Sequence, residues 1–247
     1  MKSPMPSTKL SVNVNKVATL RNSRGGTTPD LLESVRVCVR AGAPGITVHP
    51  RADQRHVRPD DVRDIARLLA GMPHVEYNIE GDPRPELLDL VLSVRPTQCT
   101  LVPVRPGEIT SQAGWQPETS VAELRSVVGG IKKLGVRVSL FVDPDADAVE
   151  WAAEVGGDRV ELYTEPFARA FEAGQGDESF RQYAGMATLA HSLGLGVNAG
   201  HDLDLQNLST FRHLPYLEEV SIGHALVSHA LFVGLDQSVR AYIDALR

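Results

Sequence analysis

A cluster of cationic and titratable side chains follows one short apolar stretch near position 50. Residues 45–57 read GITVHPRADQRHV and contain His49, Arg51, Arg55 and His56. Histidine exchanges protons near neutral pH, and arginine holds phosphate or carboxylate through paired hydrogen bonds. The segment therefore predicts an acid/base and anion-binding site, although a solvated loop after a strand has the same residue types.

Composition restricts the class of protein. The chain has 247 residues, of which 42% are hydrophobic and 23% charged, so it can bury a substantial core in one large α/β domain or two small ones. A formal charge of -6 and only five lysines argue against nucleic-acid binding, so local basic clusters are expected to serve small anions. We expect a cytoplasmic protein without a membrane span, because no apolar run approaches ~20 residues and residues 1–9 lack the apolar stretch of a signal peptide. Cys38 and Cys99 have no close-spaced partner, so we interpret both as packing residues.

Apolar periodicity and turn residues predict an alternation of strands and helices along the whole chain. Strands are expected at 10–14, 45–48, 74–81, 98–103, 136–142, 159–163, 196–199 and 219–222. Most are followed by a predicted helix, whereas the segments after the first strand, at 103–115 and at 164–178 are expected to be loops. Eight such units without a linker have the size of a single (β/α)8 TIM barrel spanning 1–247 with a few extra loop or helical segments. Catalytic groups then lie at the C-terminal ends of the strands.

The alternation of side chains along each strand makes a second prediction. Placing the apolar positions outward, against the helices, turns mostly polar neighbours into the barrel. We therefore expect a polar-lined interior resembling a hydrated, ligand-lined channel, with Glu76 facing His49. The inward set is Asn13, Asn15, Thr47, His49, Glu76, Asn78, Ser139, Glu161, Asn198 and Ser221.

Four motifs together resemble the pyridoxine 5′-phosphate synthase family: VNVNKVATLRNSRGG, GITVHPRADQRHV, VNAGHDL and IGHAL. They occur in the same order at predicted strand ends, and the resemblance covers essentially the whole chain. It implies a transferase that condenses 1-deoxy-D-xylulose 5-phosphate with 3-amino-2-oxopropyl phosphate, forming pyridoxine 5′-phosphate, phosphate and water. It also implies that the enzyme needs no metal or organic cofactor and assembles as a homo-octamer.

The resemblance also implies roles for single residues. His49 and Glu76 match proton acceptors, His201 matches a proton donor, and Glu161 matches a group that stabilises the transition state. Two sets of residues match phosphate ligands: Asn13, Arg24, Asp202, Gly223 and His224 for the amino-ketone phosphate, and Asn15, Lys16, Arg51, His56 and Thr110 for the sugar phosphate.

Three residues, at two places in the chain, depart from the family pattern. Asn15 and Lys16 stand where the family has an Asp-His pair, and Asp202 stands where it has a Gly. If Asp202 contacts phosphate through its backbone N–H, the change is harmless, whereas an inward carboxylate would repel the anion.

Other functions remain open on the sequence alone. A Schiff-base aldolase or phosphosugar lyase on the same barrel would use Lys16 as the nucleophile. A metal-dependent hydrolase lacks the expected histidine spacing, and a phosphate-sensing barrel without catalysis would bind sugar phosphate and leave it unchanged. Arg21, Arg55 and Arg105 have an equally good interpretation as solvated or paired side chains at the rim. Trp115 is expected to pack its loop onto the barrel, and residues 104–115 to close over the bound sugar phosphate with Thr110 in contact.

Overall fold

The computed structural model describes residues 8–103 and 113–247, and within these ranges the strands form a closed parallel barrel in chain order. The predicted (β/α)8 TIM barrel is therefore confirmed. The strands are β1 (Lys9–Asn13), β2 (Gly45–Val48), β3 (Glu76–Gly81), β4 (Gln98–Leu101), β5 (Arg137–Val142), β6 (Arg159–Tyr163), β7 (Gly196–Gly200) and β8 (Leu217–Ile222). The helices are α1 (Asn15–Asn22), α2 (Leu31–Arg40), α3 (Pro59–Leu69), α4 (Pro85–Val94), α5 (Val121–Lys132), α6 (Ala146–Val155), α7 (Glu165–Glu172), α8 (Gly176–Ser192), α9 (Leu208–Phe211), α10 (His224–Val233) and α11 (Leu235–Ala245).

The main core lies between the outer faces of the strands and the surrounding helices. Val12, Ile46 and Leu140 point outward from their strands and are completely buried. Helices begin where the sequence supplies a cap: the Asp30 carboxylate accepts hydrogen bonds from the first backbone N–H groups of α2, and Pro59 opens α3. Burial of these apolar side chains between strands and helices is the main favourable contribution to the packing of the barrel.

The barrel interior is polar, as predicted, but its side chains bond to one another instead of leaving a hydrated channel. The Ser11 and Thr47 hydroxyls are 2.6 Å apart, Asn78 donates to Thr47, and Thr100 donates to the Asn78 side chain. These side chains are at most 2% exposed, so they fill the interior below the strand ends. The predicted channel is therefore closed at this depth, where paired polar groups occupy the space.

Two segments predicted as loops are helices. The Asn13 side chain accepts a hydrogen bond from the backbone N–H of Asn15, which starts α1 immediately after β1. Asn15 is thus the first residue of a helix and not an inward strand residue. In the 164–178 connection, Pro166 lies in the first turn of α7 and favours helix there.

Trp115 packs its segment onto the barrel, as predicted. Its indole N–H donates to the Leu101 carbonyl at 2.9 Å, and its ring stacks on Trp151 with centroids 6.1 Å apart. Within the two ranges that the structure describes, every helix is too short or too polar to cross a lipid bilayer.

Candidate active site

A cavity of about 460 Å³ lies at the C-terminal ends of the strands. Residues from distant parts of the chain converge on it because parallel strands present their C-terminal ends on one face of the barrel. The predicted site residues that line it are Asn13, Asn15, Lys16, His49, Arg51, His56, Glu161, His201, Asp202, Gly223 and His224.

Glu76 does not line this cavity, and the expectation that it faces His49 is wrong. It is the first residue of β3, and its carboxylate accepts hydrogen bonds from Lys9 and Arg137 at the opposite end of the barrel. The carboxylate beside His49 belongs to Glu80, with 4.0 Å between His49 Nδ1 and Glu80 Oε2. Glu80 is the penultimate residue of β3 and so lies at the same end of the barrel as His49 and His201, a signal in the sequence that was missed.

Two further predicted ligands, Arg24 and Thr110, are not among the described residues that line the cavity. Arg24 lies in the exposed loop after α1 and does not line the cavity. Thr110 lies outside the described residues, as do Arg105 and most of the segment 104–115, so the predicted closure of this segment stays a prediction.

His49 is an uncharged base in this setting. Its side chain is 9% exposed, and burial, followed by the nearby His56 and Arg51, holds its pKa well below the usual value. Among the described residues its Nε2 atom is buried without a hydrogen-bond partner. A neutral imidazole with an unpaired nitrogen can accept a proton from a substrate carbon or amine.

Two buried carboxyl groups face the same cavity. Burial raises the pKa of Glu80 to about 8, with a smaller contribution from Glu219, although a hydrogen bond from Ser221 at 3.4 Å opposes the shift. Burial and the neighbouring Glu80 also raise the pKa of Glu161 well above its usual range. At neutral pH both groups therefore favour the protonated form and can donate hydrogen bonds or protons.

The backbone at the end of β7 is shaped around Glu161. A Cβ atom added to Gly200 would overlap the Glu161 carboxylate, so a glycine is needed at this point. His201 follows directly, and its ring lies edge-on to Tyr163 with centroids 5.3 Å apart. His201 and Glu161 are thereby held on neighbouring strands.

Two parts of the cavity suit anions. Gly223 immediately precedes α10 and lines the cavity, and a Cβ there would lie 3.0 Å from Asn13. Backbone N–H groups at the start of a helix suit a phosphate. Elsewhere Lys16, Arg51 and His56 line the wall. Burial and then Arg51 lower the pKa of His56 to about 4, so it is a neutral hydrogen-bonding group at pH 7.

Of the arginines that the sequence left open, Arg21 and Arg55 lie among the described residues. Arg55 lines the cavity and also pairs with Asp53, whereas Arg21 is outside it and pairs with Asp61. In the described part of the chain, His, Cys, Asp and Glu side chains form no group of three or more suited to hold a metal ion.

A family model described as pyridoxal phosphate biosynthesis protein PdxJ matches residues 10–247. The chain belongs to the PdxJ family. Relatives of the PdxJ chain named pyridoxine 5′-phosphate synthase include one from Christiangramia forsetii, 50% identical over 97% of this chain and 100% of the relative. Another, from Porphyromonas gingivalis, is 49% identical over 97% of this chain and 99% of the relative.

Solved structures with the same barrel are more distant. A phosphoribosyl anthranilate isomerase from Thermus thermophilus has 16% identity and a TM-score of 0.57, covering 97% of this chain and 98% of that one. A 4-hydroxy-2-oxoglutarate aldolase has 19% identity and a TM-score of 0.61, covering 96% and 94%. At these identities the likeness shows the fold alone.

Proposed function

We infer that the protein is a pyridoxine 5′-phosphate synthase, an enzyme of vitamin B6 biosynthesis. Its proposed substrates are 1-deoxy-D-xylulose 5-phosphate and 3-amino-2-oxopropyl phosphate. The observation that carries this assignment is one cavity in which acid/base groups lie among two sets of anion-binding residues, in a chain of the PdxJ family. Two phosphorylated substrates need such sites, and their condensation needs several proton transfers.

Each acid/base residue has a proposed role. The amine of the amino-ketone attacks the ketone of the sugar phosphate and, after loss of water, forms an imine. His49 is neutral and buried, which suits it to accept a proton during the following steps. Glu80 takes the second proton-transfer role that the sequence had suggested for Glu76, because it lies beside His49. His201 donates a proton to a departing group.

Glu161 has a different role from that of a base. As a protonated, buried carboxyl it would donate a hydrogen bond to an oxygen that gains negative charge in the transition state. It would lose this ability on ionisation, so the raised pKa suits the role.

The phosphate ligands divide into two groups. Asn13, Gly223 and His224 lie together at the ends of β1 and β8 and would hold the amino-ketone phosphate, with Asp202 and Arg24 completing the set by resemblance. For the sugar phosphate the proposed ligands are Asn15, Lys16, Arg51, His56 and Thr110. The Asn15 side chain accepts a hydrogen bond from the backbone N–H of His49 at 2.9 Å, so it also joins the start of α1 to the catalytic strand end.

Assembly and location form a separate part of the proposal. We propose a homo-octamer by family resemblance, and the exposed Leu231 and Phe232 at the end of α10 supply apolar surface for a subunit interface. We also propose a cytoplasmic location, which the free, buried thiols of Cys38 and Cys99 support. Sedimentation analysis of the purified protein tests the octamer.

The assigned reaction is tested by incubating the purified protein with both substrates and following the fluorescent pyridine product and the released phosphate. We expect both products, and neither when one substrate is omitted. Binding of the sugar phosphate without any turnover would instead indicate a phosphate-sensing barrel.

A second experiment tests the alternative in which Lys16 forms a Schiff base with the sugar phosphate. Lys16 lines the cavity, but the amino-ketone already supplies a nucleophilic nitrogen. Borohydride treatment of the enzyme with 1-deoxy-D-xylulose 5-phosphate alone should leave no covalent adduct, and Lys16→Arg should retain measurable turnover. A stable adduct on Lys16 together with an inactive Arg variant would favour an aldolase or lyase.

A further inference from the structure

The connection after β7 holds a histidine and a carboxylate in direct contact. The distance between His201 Nδ1 and Asp202 Oδ2 is 3.2 Å. The two residues are adjacent in sequence, and both have left-handed backbone conformations, with φ of 89° and 57°. Such conformations are unfavourable for residues other than glycine, so the surrounding structure must hold them in place.

Several contacts hold this backbone. Thr164 contacts the His201 carbonyl and donates to the Gly200 carbonyl at 2.7 Å, and the Asn207 side chain donates to the Asp202 carbonyl at 3.0 Å. The His201 ring is confined on one side by Tyr163. The imidazole and the carboxylate therefore meet in a backbone segment that hydrogen bonds from Thr164 and Asn207 hold in place.

We propose that Asp202 is a positioning residue for His201: its carboxylate accepts a hydrogen bond from Nδ1, fixes the tautomer that leaves Nε2 to exchange the proton, and stabilises the imidazolium before transfer. This inference rests on the proposed role of His201 as proton donor and adds a function for the neighbouring carboxylate. An acceptor bonded to one ring nitrogen determines which tautomer is present, and its charge favours the protonated ring.

The electrostatic setting agrees with an ionised Asp202. The hydrogen bond with His201 lowers the pKa of Asp202, and the nearby His224 and Lys16 act in the same direction. The carboxylate is thus ionised at neutral pH and acts as a hydrogen-bond acceptor. Other ionisable groups that act on this pair or on the ring beside it are His49 after β2, Tyr163 on β6, Asp143 after β5, and Glu165 and Arg169 on α7.

The sequence left open whether the Asp202 carboxylate turns inward, where it would repel a phosphate. Asp202 lines the cavity with 44% of its side chain exposed, and its carboxylate is engaged with His201. An unpaired carboxylate here would repel a phosphate, whereas a carboxylate paired with an imidazolium carries little net charge. The pair therefore allows an acidic residue to stand beside an anion-binding site.

The first test measures kcat against pH for the wild type and for Asp202→Asn and Asp202→Gly, both of which tolerate the left-handed backbone. Since the donor must be protonated, kcat falls as pH rises. Without the negative charge beside the ring, the fall in kcat should move to lower pH by about one unit, and kcat at pH 8 should drop about tenfold. Asp204→Asn is the matched control, because Asp204 lies in the same connection and its carboxylate accepts hydrogen bonds from the backbone N–H groups of Gln206 and Asn207.

A second measurement does not depend on turnover. Nitrogen-15 spectra of histidine-labelled protein, with His201→Gln to assign the signals, should show hydrogen on Nδ1 of neutral His201. They should also show a titration midpoint about one pH unit lower in Asp202→Asn. An unchanged midpoint, or a pH profile that stays in place while only stability or KM changes, would overturn the proposal. If the wild type makes no pyridine product, the proposed function fails, and these spectra still decide whether Asp202 controls His201.

Discussion

At the level of single residues, β3 carries two glutamates whose side chains both turn into the barrel but which have different partners. Glu76 is held by Lys9 and Arg137, whereas Glu80 lies beside His49 and has a pKa raised to about 8. Ion pairs at one end stabilise a charged carboxylate, and burial at the other end favours a protonated one. The same residue type therefore has a structural role at one position and a chemical role at the other.

We predict that Glu80→Gln lowers kcat by about two orders of magnitude, the usual effect of losing a general acid/base group. The change keeps the size and hydrogen-bonding capacity of the side chain, so substrate binding should persist. Steady-state kinetics with both substrates checks this, and Glu76→Gln is the matched control on the same strand. If Glu76→Gln abolishes turnover while Glu80→Gln leaves it intact, the assignment is reversed.

At the level of secondary structure, α1 lies across the catalytic face and brings Asn15 and Lys16 to the cavity. The C-terminal end of α1 is bound to α3, because Arg21 makes a bidentate ion pair with Asp61 at the start of α3. The Asn22 side chain donates to the carbonyl of His56 at 2.8 Å. These contacts join α1 to the segment that carries the basic cluster.

We predict that Arg21→Gln raises KM for the sugar phosphate and lowers the free energy of unfolding by about 2 kcal/mol, because it leaves Asp61 without its partner in a mostly buried position. Urea denaturation and steady-state kinetics measure the two effects. Arg36→Gln is the control, since its pair with Glu33 is exposed on α2 and should contribute little to stability. Equal effects of the two substitutions would contradict the fastening of α1 by Arg21.

At the level of the whole molecule, buried titratable groups couple catalytic chemistry to stability. Glu80 keeps its proton up to about pH 8 in the folded protein, whereas an unfolded glutamate releases it near pH 4.3. Between these values the folded state binds more protons, so the free energy of unfolding falls as pH rises. His56 acts oppositely: its folded pKa of about 4 lies below the unfolded value near 6.5, so its contribution is lost as pH falls through that range.

We predict that the wild type loses more stability than Glu80→Gln between pH 6.5 and pH 8, because the variant has no carboxyl to ionise at this site. The difference between the two proteins should amount to a few kcal/mol at most. Urea denaturation at several pH values and one protein concentration measures it. Parallel profiles for the two proteins would show that Glu80 does not hold its proton as described.

The barrel, the family and most of the cavity could be predicted from the sequence. Alternating side chains indicate which residues turn inward, and motifs such as VNAGH and IGHAL fall at strand ends, where the chain direction alone places them on one face. His49, His201 and Gly223 were found in this way. Local sequence was sufficient because their positions depend mainly on strand register.

Other features depended on tertiary structure. Glu76 and Glu80 share one face of β3, so alternation cannot distinguish them, but four residues of strand separate their backbones by roughly 13 Å. Glu80 is the one near the C-terminal end of β3, where the site forms, and the pairing of β3 with β2 brings it to His49. Likewise, α1 forms where a loop was expected. Its ion pair between Arg21 and Asp61 joins residues that are distant in sequence. The sequence by itself determined the barrel fold and the types of reactive side chain in the site. The tertiary structure decided which of these side chains meet, because burial and ion pairing depend on neighbours that only folding brings together.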